Sequence, residues 1–279
     1  MSSSLRTSII HRKEIDPRTL WLQSFSTGPS NRIAFFVFPY AGGGTAAFRS
    51  WTQQLPSWIA VHLVQLPGRE ERLGEAPIVR ASEIVEGASE AIVSVVDGPF
   101  VLFGHSMGAI LAFEVARQLR RTQCGGPSAL VVSGRAAPQL PSRTPRLGGL
   151  PDQDLVKQLM ALYGGIPAEV LSNLELVELM ASVLKADLHI VEGYEYVTEK
   201  PLNCPIEAYG GDADAWVTQS ELDAWREQTE AGFFAEQYVG THFYFRDVEN
   251  ERRLLSRVQQ ICAAVVAGSA IFQPCFSSC

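Results

Sequence analysis

Short runs of β-branched, aromatic and other apolar residues alternate along the chain with segments in which apolar residues recur every three or four positions. The runs predict buried strands, and the spacing of three or four predicts helices between them. Strands are predicted at residues 33–38, 61–66, 100–103, 130–133, 206–209 and 236–239. Helices are predicted at about 45–54, 82–96, 107–121, 219–230 and 249–266. Strands that are separated by helices favour right-handed crossovers, so we expect an α/β architecture with a mainly parallel sheet covered on both faces.

The alternation breaks between residues 150 and 200, where helical spacing continues without a clear strand. No linker rich in Pro, Gly and Ser divides the middle of the 279 residues, which favours one core with an insertion. We therefore expect a flexible N-terminal extension at 1–20 and a single domain at 21–279. Its helical lid, at about 150–200, should lie over the carboxyl edge of the sheet, where such folds bind ligands.

Composition narrows the range of partners. A formal net charge of −7 argues against nucleic acid and against a basic membrane-surface binder. The longest apolar stretch near the C-terminus, 261–272, is too short to cross a bilayer. The five cysteines include no C-x-x-C pair and have no histidines at metal-ligand spacing, which favours reduced thiols and no metal site. We expect a monomer in the cytoplasm.

Residues 104–108 read Gly-His-Ser-Met-Gly and stand between a predicted strand and a predicted helix. In a G-x-S-x-G elbow the serine occupies a sharp strand-to-helix turn, and the glycines are needed because side chains there would collide with neighbouring backbone. The pattern alone is weak evidence, but its position between strand and helix is specific. Ser106 is therefore the predicted nucleophile.

A serine nucleophile needs a base, and five histidines are available. Four of them are disfavoured as the base. His11 lies in the N-terminal tail, and His62 lies within a predicted strand. His105 is inside the elbow and directed away from the Ser106 hydroxyl, and His189 belongs to the helical insertion. His242 remains, on the loop after the last predicted strand. From that position it can reach the elbow, so it is the predicted base.

The acid is expected on the loop after the preceding strand, where Asp212 and Asp214 compete. Asp214 stands three residues after Gly211, which resembles the G-x-x-D turn of hydrolases, whereas Asp212 is better placed to cap the loop or face solvent. We favour Asp214 as the residue that orients His242. The resulting order of serine, acid and histidine is the one expected of α/β-hydrolases.

Two backbone N–H groups are needed to stabilise the oxyanion of the tetrahedral intermediate. The Met107 amide is one predicted donor, and the other should come from the glycine loop, residues 39–44, which follows the first predicted strand. Pro39 has no N–H, so Tyr40 or Ala41 is the second predicted donor. The loop carries neither a following G-K-[ST] nor a G-x-G-x-x-G spacing, and no nucleotide cofactor is expected.

Several blocks of sequence together resemble the type II thioesterases that accompany modular polyketide and nonribosomal peptide synthases. The blocks are residues 38–43, 65–70, 103–108, 150–152, 204–206 and 210–212. The resemblance covers nearly everything from about Trp21 to His242. It implies an α/β-hydrolase fold without a cofactor. It also implies hydrolysis of acyl groups from the phosphopantetheine arm of an acyl or peptidyl carrier protein. This reaction removes stalled or misloaded units, and acyl-CoA is a further possible substrate.

Three alternatives remain at the level of sequence. A medium-chain fatty-acyl thioesterase of fatty-acid synthesis would use the same residues, and a carboxylester hydrolase would cleave oxygen esters as readily. A silent hydrolase-fold binding protein is disfavoured because serine, aspartate and histidine are all present. Carrier proteins are usually acidic, so docking would need a basic patch such as Arg135, Arg143 and Arg146.

Overall fold

The computed structural model of the protein describes residues 20–25, 31–163 and 171–269. Within these ranges the strands are β1 (Leu22–Phe25), β2 (Ile33–Phe38), β3 (Ile59–Val64), β4 (Phe100–His105), β5 (Ala129–Ser133), β6 (Ile206–Gly211) and β7 (Phe233–Tyr238). The helices are α1 (Trp51–Gln54), α2 (Ala81–Val95), α3 (Met107–Arg121), α4 (Asp152–Tyr163), α5 (Leu174–Glu192), α6 (Gln219–Asp223) and α7 (Val248–Val266). Short 3₁₀ turns include Thr45–Phe48, Glu70–Arg72, Ala224–Gln228 and Tyr244–Arg246.

The strands form one sheet in the order β1-β3-β2-β4-β5-β6-β7. Among the strands in the described ranges, only β1 runs antiparallel to its neighbour, and the other pairings are parallel. Phe38 at the end of β2 pairs with Gly104, and His105 at the end of β4 pairs with Ser133. Because parallel strands end on the same edge, the loops after β2, β4, β5, β6 and β7 meet there. The predicted mainly parallel α/β sheet is confirmed.

Helices cover both faces of the sheet, which explains why the central strands are apolar at consecutive positions. Phe36 packs with Ile84 of α2 and Leu111 of α3 in one buried cluster. Its neighbour Phe35 points to the opposite face and shares a second cluster with Leu254 of α7. The alternation of side chains along a strand therefore serves two cores, one on each face.

Some predicted boundaries were wrong. The strand predicted at 61–66 begins two residues earlier, and the strand predicted at 236–239 is β7, which begins three residues earlier. Most of β7 is only half-buried because it is an edge strand, so its apolar pattern marks its start poorly. The helix predicted at 45–54 is a 3₁₀ turn followed by the single turn of α1, and the helix predicted at 219–230 is α6 followed by a 3₁₀ turn.

Strand β1 was missed by the sequence analysis. It is four residues long and pairs with a single strand of the described sheet, and of its four residues only Leu22 is buried. A short edge strand of this kind has too little alternation to be recognised from the sequence.

The strand-free segment predicted as a lid forms α4 and α5, which share a separate apolar cluster that includes Leu155, Leu159 and Ala181. Ile190, near the end of α5, packs instead with the main core. Residues 164–170 lie outside the described residues, as do 1–19 of the expected N-terminal extension and the cysteines at 275 and 279. The expected domain limits stay a prediction. Among the helices that the structure describes, none has the length and apolar character needed to cross a membrane.

His62, which the sequence places within a strand, lies in the middle of β3. Its ring stacks on Phe36 at 4.7 Å between centroids, and its Nδ1 is 2.7 Å from the Ser24 hydroxyl of β1. Burial lowers the pKa of His62 to about 4. The folded protein therefore holds this ring neutral.

We predict that His62 contributes to acid sensitivity. An unfolded histidine has a pKa of about 6.5, so between that value and about 4 the unfolded chain binds a proton that the folded chain does not. The stability linked to His62 is complete above about pH 6.5 and is lost as the pH falls toward 4. In His62→Gln, the free energy of unfolding in urea should fall less between about pH 7 and about pH 5 than in the unsubstituted protein. His189→Gln, at an exposed position on α5, is the control, and an equal fall in all three proteins would contradict the prediction.

Candidate active site

Ser106 lies at the turn between β4 and α3 with φ 55° and ψ −113°. Its N–H donates to the Ser133 carbonyl of β5 at 2.8 Å. A non-glycine residue with positive φ is uncommon and costs backbone strain that the surrounding structure must hold. The turn has the strand-to-helix geometry that the G-x-S-x-G pattern predicts.

The two glycines of the elbow allow neighbouring backbones to approach closely. A Cβ on Gly104 would lie 2.0 Å from the Gly108 carbonyl oxygen, and a Cβ on Gly108 would lie 2.2 Å from the carbonyl oxygen of Phe38. Any larger residue would push the first turn of α3 away from β4 or from the end of β2. The elbow and the start of the glycine loop are therefore in direct contact.

His242 and Asp214 form a buried pair on the loops after β7 and β6. His242 Nδ1 is 2.7 Å from Asp214 Oδ2, and the Asp214 side chain is fully buried. The other oxygen of Asp214 accepts the N–H of Trp216 at 2.9 Å. Because the carboxylate accepts the Nδ1 proton, the neutral ring keeps Nε2 free to accept another.

Asp212 is exposed and points elsewhere. Its Oδ1 accepts the N–H of Gly240 at 2.9 Å, so it caps the loop that carries His242. A Cβ on Gly211 would lie 2.2 Å from the Thr241 carbonyl oxygen, which shows how closely the two loops pack. The structure thus brings Asp214, and not Asp212, to the His242 ring.

His105 lies beside His242, with 4.8 Å between the ring centroids. Its Nδ1 is 2.9 Å from the Ser133 hydroxyl, which is in turn 2.8 Å from the Tyr244 hydroxyl. Complete burial, with a smaller contribution from the charge on His242, lowers the pKa of His105 well below its ordinary value. His105 is therefore a neutral member of a buried hydrogen-bond chain that runs to Ser133 and Tyr244.

Ser106 and His242 line one cavity of about 670 Å³ at the carboxyl edge of the sheet. The apolar side of the cavity comes from α4 and α5: Leu159, Tyr163, Met180, Val183, Leu184 and Leu188. The Tyr163 ring lies 4.9 Å from the His242 ring, so the insertion contacts the predicted base directly. Among the described residues, no group of three or more His, Cys, Asp or Glu side chains is arranged to hold a metal ion.

The predicted oxyanion donors surround the same space. Met107 is the first residue of α3, where a backbone N–H has no partner within the helix. Tyr40 and Ala41 of the glycine loop also line the cavity. The N–H of Gly42 is already used, since it donates to Asp187 Oδ2 at 2.7 Å. Tyr40 and Ala41 therefore stay the candidates for the second donor.

The three arginines expected to form a basic docking patch differ in their surroundings. Arg135 is half-buried inside the cavity, and burial lowers its pKa. Arg143 is hydrogen-bonded through Nε and Nη2 to the Glu221 carboxylate, both at 2.8 Å. Arg146 is exposed at the cavity edge. They do not form one free surface patch, because one lies in the cavity and one is neutralised.

Sequence reasoning missed the groups that hold the glycine loop. Asp187 is fully buried on α5 and pairs with Arg69. Glu70, the residue after Arg69, accepts the N–H groups of Thr45 and Ala46, both at 2.8 Å. One signal was available: Asp187 falls among apolar positions of α5, where a carboxylate is rarely buried unless it is paired. The identity of the partner, far away in sequence, could not be read from that signal.

Comparison with known proteins decides the family. The thioesterase domain family matches residues 34–262. The chain belongs to this family.

This thioesterase has relatives that cover most of its length. Gramicidin S biosynthesis protein GrsT of Aneurinibacillus migulanus is 38% identical over 83% of this chain and 90% of its own. RedJ, a thioesterase of the prodiginine biosynthetic pathway in Streptomyces coelicolor, has a TM-score of 0.76 at 35% identity, over 82% of this chain and 85% of its own. The type II thioesterase BorB from the borrelidin biosynthetic cluster has a TM-score of 0.77 at 32% identity, over 86% of this chain and 96% of its own. The predicted α/β-hydrolase fold and the resemblance to type II thioesterases are confirmed.

One relative has a different metabolic role. The medium-chain S-acyl fatty acid synthase thioesterase of Rattus norvegicus is 32% identical over 80% of this chain and 85% of its own. A medium-chain thioesterase of fatty-acid synthesis, which the sequence analysis named as an alternative, is thus among the relatives of this chain.

We predict that the close approach at the elbow makes Gly108→Ala destabilising, although alanine is the better helix former. The added methyl group meets backbone carbonyls that cannot rotate away, so the free energy of unfolding should fall by about 1–3 kcal/mol. Gly98→Ala is the matched control, because a Cβ there meets nothing within 4 Å. Urea unfolding of both variants tests the prediction, which fails if the two substitutions have equal effects.

Proposed function

We propose that this thioesterase hydrolyses acyl groups held as thioesters on the phosphopantetheine arm of acyl or peptidyl carrier proteins, and so removes stalled or misloaded units from a polyketide or nonribosomal peptide synthase. The observation that carries the proposal is one cavity that joins Ser106 to the Asp214-paired His242. The relatives support the substrate class, because their names connect them with gramicidin S, prodiginine and borrelidin biosynthesis.

In the proposed first half-reaction, His242 Nε2 takes the proton of the Ser106 hydroxyl as Oγ attacks the thioester carbon. The backbone N–H of Met107 and that of Tyr40 or Ala41 hold the resulting oxyanion, and each donor contributes about 3 kcal/mol to stabilising the transition state. Collapse of this intermediate breaks the carbon–sulfur bond. The thiol leaves with the proton from His242, and the acyl group stays on Ser106 as an ester.

In the second half-reaction, His242 accepts a proton from water, which attacks the acyl-enzyme carbonyl. The free acid leaves, and the proton returns to Ser106. Asp214 keeps the proton on Nδ1 and stabilises the imidazolium that forms in each half-reaction. These steps require neither a metal nor a cofactor.

The lining of the cavity suits both parts of such a substrate, the acyl chain and the anionic phosphopantetheine arm. Its apolar side, from α4 and α5, provides for an acyl chain. Arg135, Arg146 and Arg246 also line it, and none of the three has an ion-pair partner in the part of the chain that the structure describes. Arginines without a counter-charge favour the anionic phosphopantetheine arm and an acidic carrier, and also acyl-CoA. We expect the enzyme to meet its partners as a monomer in the cytoplasm.

We predict that the same acyl group is hydrolysed fastest from a carrier protein, with kcat/KM at least about tenfold above the values for acyl-CoA and for a simple oxygen ester.

We also predict that Ser106→Ala folds normally and loses turnover by at least about a thousandfold, because only binding and oxyanion stabilisation remain. Steady-state kinetics with loaded carrier, acyl-CoA and oxygen ester test both statements, and circular dichroism checks the fold.

Each alternative gives a different result in that experiment. A preference for the oxygen ester favours a carboxylester hydrolase. A steep preference for medium-length fatty-acyl chains over short chains on the carrier favours the fatty-acid role. Turnover near wild type in Ser106→Ala would contradict the serine mechanism itself.

We predict further that Asp214→Asn costs roughly 10⁴ in kcat, because an amide favours the wrong His242 tautomer. Asp212→Asn is the matched control two residues away. Asp212 hydrogen-bonds backbone rather than the imidazole, so its loss should have a much smaller effect. Kinetics of both variants with one acyl-carrier substrate decide between them, and a larger loss in Asp212→Asn would reverse the assignment.

A further inference from the structure

Arg69 and Asp187 form a buried, bidentate ion pair between the loop after β3 and helix α5 of the insertion. Arg69 Nη1 is 2.7 Å from Asp187 Oδ2, and Nη2 is 2.8 Å from Oδ1. The Asp187 side chain is fully buried and that of Arg69 is 9% exposed. Arg69 follows β3, whereas Asp187 lies on α5. Such a pair is costly to desolvate and is weak evidence for stability, so its position calls for another explanation.

Both members of the pair also hold the backbone of the glycine loop. Asp187 Oδ2 accepts the N–H of Gly42 at 2.7 Å, and Arg69 Nη1 donates to the Gly43 carbonyl at 3.0 Å. The ion pair therefore fixes the N–H of Gly42 and the carbonyl of the next residue, Gly43. These residues come directly after Ala41, whose N–H is a candidate oxyanion donor.

Helix α5 also packs against the loop without space to spare. Gly42 has φ +75°, and a Cβ on it would lie 2.5 Å from Leu184 Cδ2, one turn before Asp187 on the same helix. The glycine loop is thus held between this turn of α5 and Arg69. Beyond it, Glu70 accepts the hydroxyl of Thr45 at 2.7 Å and anchors the end of the loop.

We propose that the Arg69–Asp187 pair positions the glycine loop so that the N–H of Tyr40 or Ala41 points at the developing oxyanion. Both are positioning residues, because their hydrogen bonds go to each other and to the backbone of the loop. The second half of α5 is then a fixed part of the active site. This inference rests on the proposed function, since it needs a reaction that forms an oxyanion at Ser106.

Two single variants change the pair in different ways. Asp187→Asn keeps the shape and loses the charge, whereas Arg69→Lys keeps the charge and loses the planar fork. We expect kcat to fall by about 10- to 100-fold in each, while KM changes by less than about threefold, because a displaced donor weakens the transition state and not the bound substrate.

A second readout is specific to the oxyanion. A trifluoromethyl ketone analogue of the acyl thioester adds to Ser106 and forms an oxyanion without turnover. Its affinity should fall by the same factor as kcat/KM in each variant, since both depend on the same donors. An unchanged affinity in variants with reduced kcat would overturn the positioning role.

The double variant Arg69→Met/Asp187→Leu separates positioning from stability. Replacing both charges of a buried pair by apolar residues of similar size is often neutral or stabilising for the fold. We expect a thermal midpoint close to wild type with kcat and analogue affinity still reduced about tenfold or more. If the pair only stabilises the fold, kcat and the analogue affinity of the double variant both return to the wild-type values, and the proposal is wrong.

The ion pair between Lys185 of α5 and Asp152 of α4 provides a matched control, because it joins the insertion helices to each other and not to the loop. Asp152→Asn should change kcat and analogue affinity by less than about twofold. Ser106→Ala is run beside it. If that variant keeps turnover, the proposed function fails. If it is inactive while Asp187→Asn, Arg69→Lys and the double variant match wild type, only the positioning role fails.

Discussion

The backbone conformation of Ser106 is the constraint on which the rest of the site depends. A positive φ at a serine persists only because its surroundings hold it. The Ser133 carbonyl fixes its N–H, and Gly104 and Gly108 let β4, the first turn of α3 and the end of β2 approach to distances that a methyl group would prevent. The position of the hydroxyl, the direction of α3 and the start of the glycine loop are consequently set together rather than separately.

Two buried carboxylates complete the site by the same physical means. Asp214 accepts one backbone N–H and pairs with His242, while Asp187 accepts one backbone N–H and pairs with Arg69. In each case the carboxylate joins two segments that are distant in sequence, and burial makes the hydrogen bonds strong because water cannot compete for them. One pair includes the predicted base, His242, and the other holds the loop that carries the candidate oxyanion donors. The proposed chemistry thus depends on charges that solvent does not reach.

The sequence was informative where a signal is local and much less so where it is not. The central strands, the elbow at Ser106 and the loop positions of Asp214 and His242 each depend on a few adjacent residues, and the structure brings the latter two together. Strand β1 was missed because four residues at an edge carry little pattern. The Arg69–Asp187 pair was missed because its members lie 118 residues apart, and only the three-dimensional path of α5 brings them together. The biosynthetic role came from resemblance to a family, and no residue pattern alone implied it.

Connections between strands tolerate insertions while the sheet stays constant, so one would expect α4 and α5 to act as an interchangeable module. Here α5 shares an ion pair with the loop after β3 and packs Leu184 against Gly42, so the boundary between insertion and sheet runs through the active site. Transplanting the insertion of a relative onto this sheet, to alter the acyl group accepted, must therefore preserve a carboxylate at position 187 and a fitting side chain one turn before it. A graft without that carboxylate would bury the Arg69 guanidinium with no counter-charge, which is strongly destabilising.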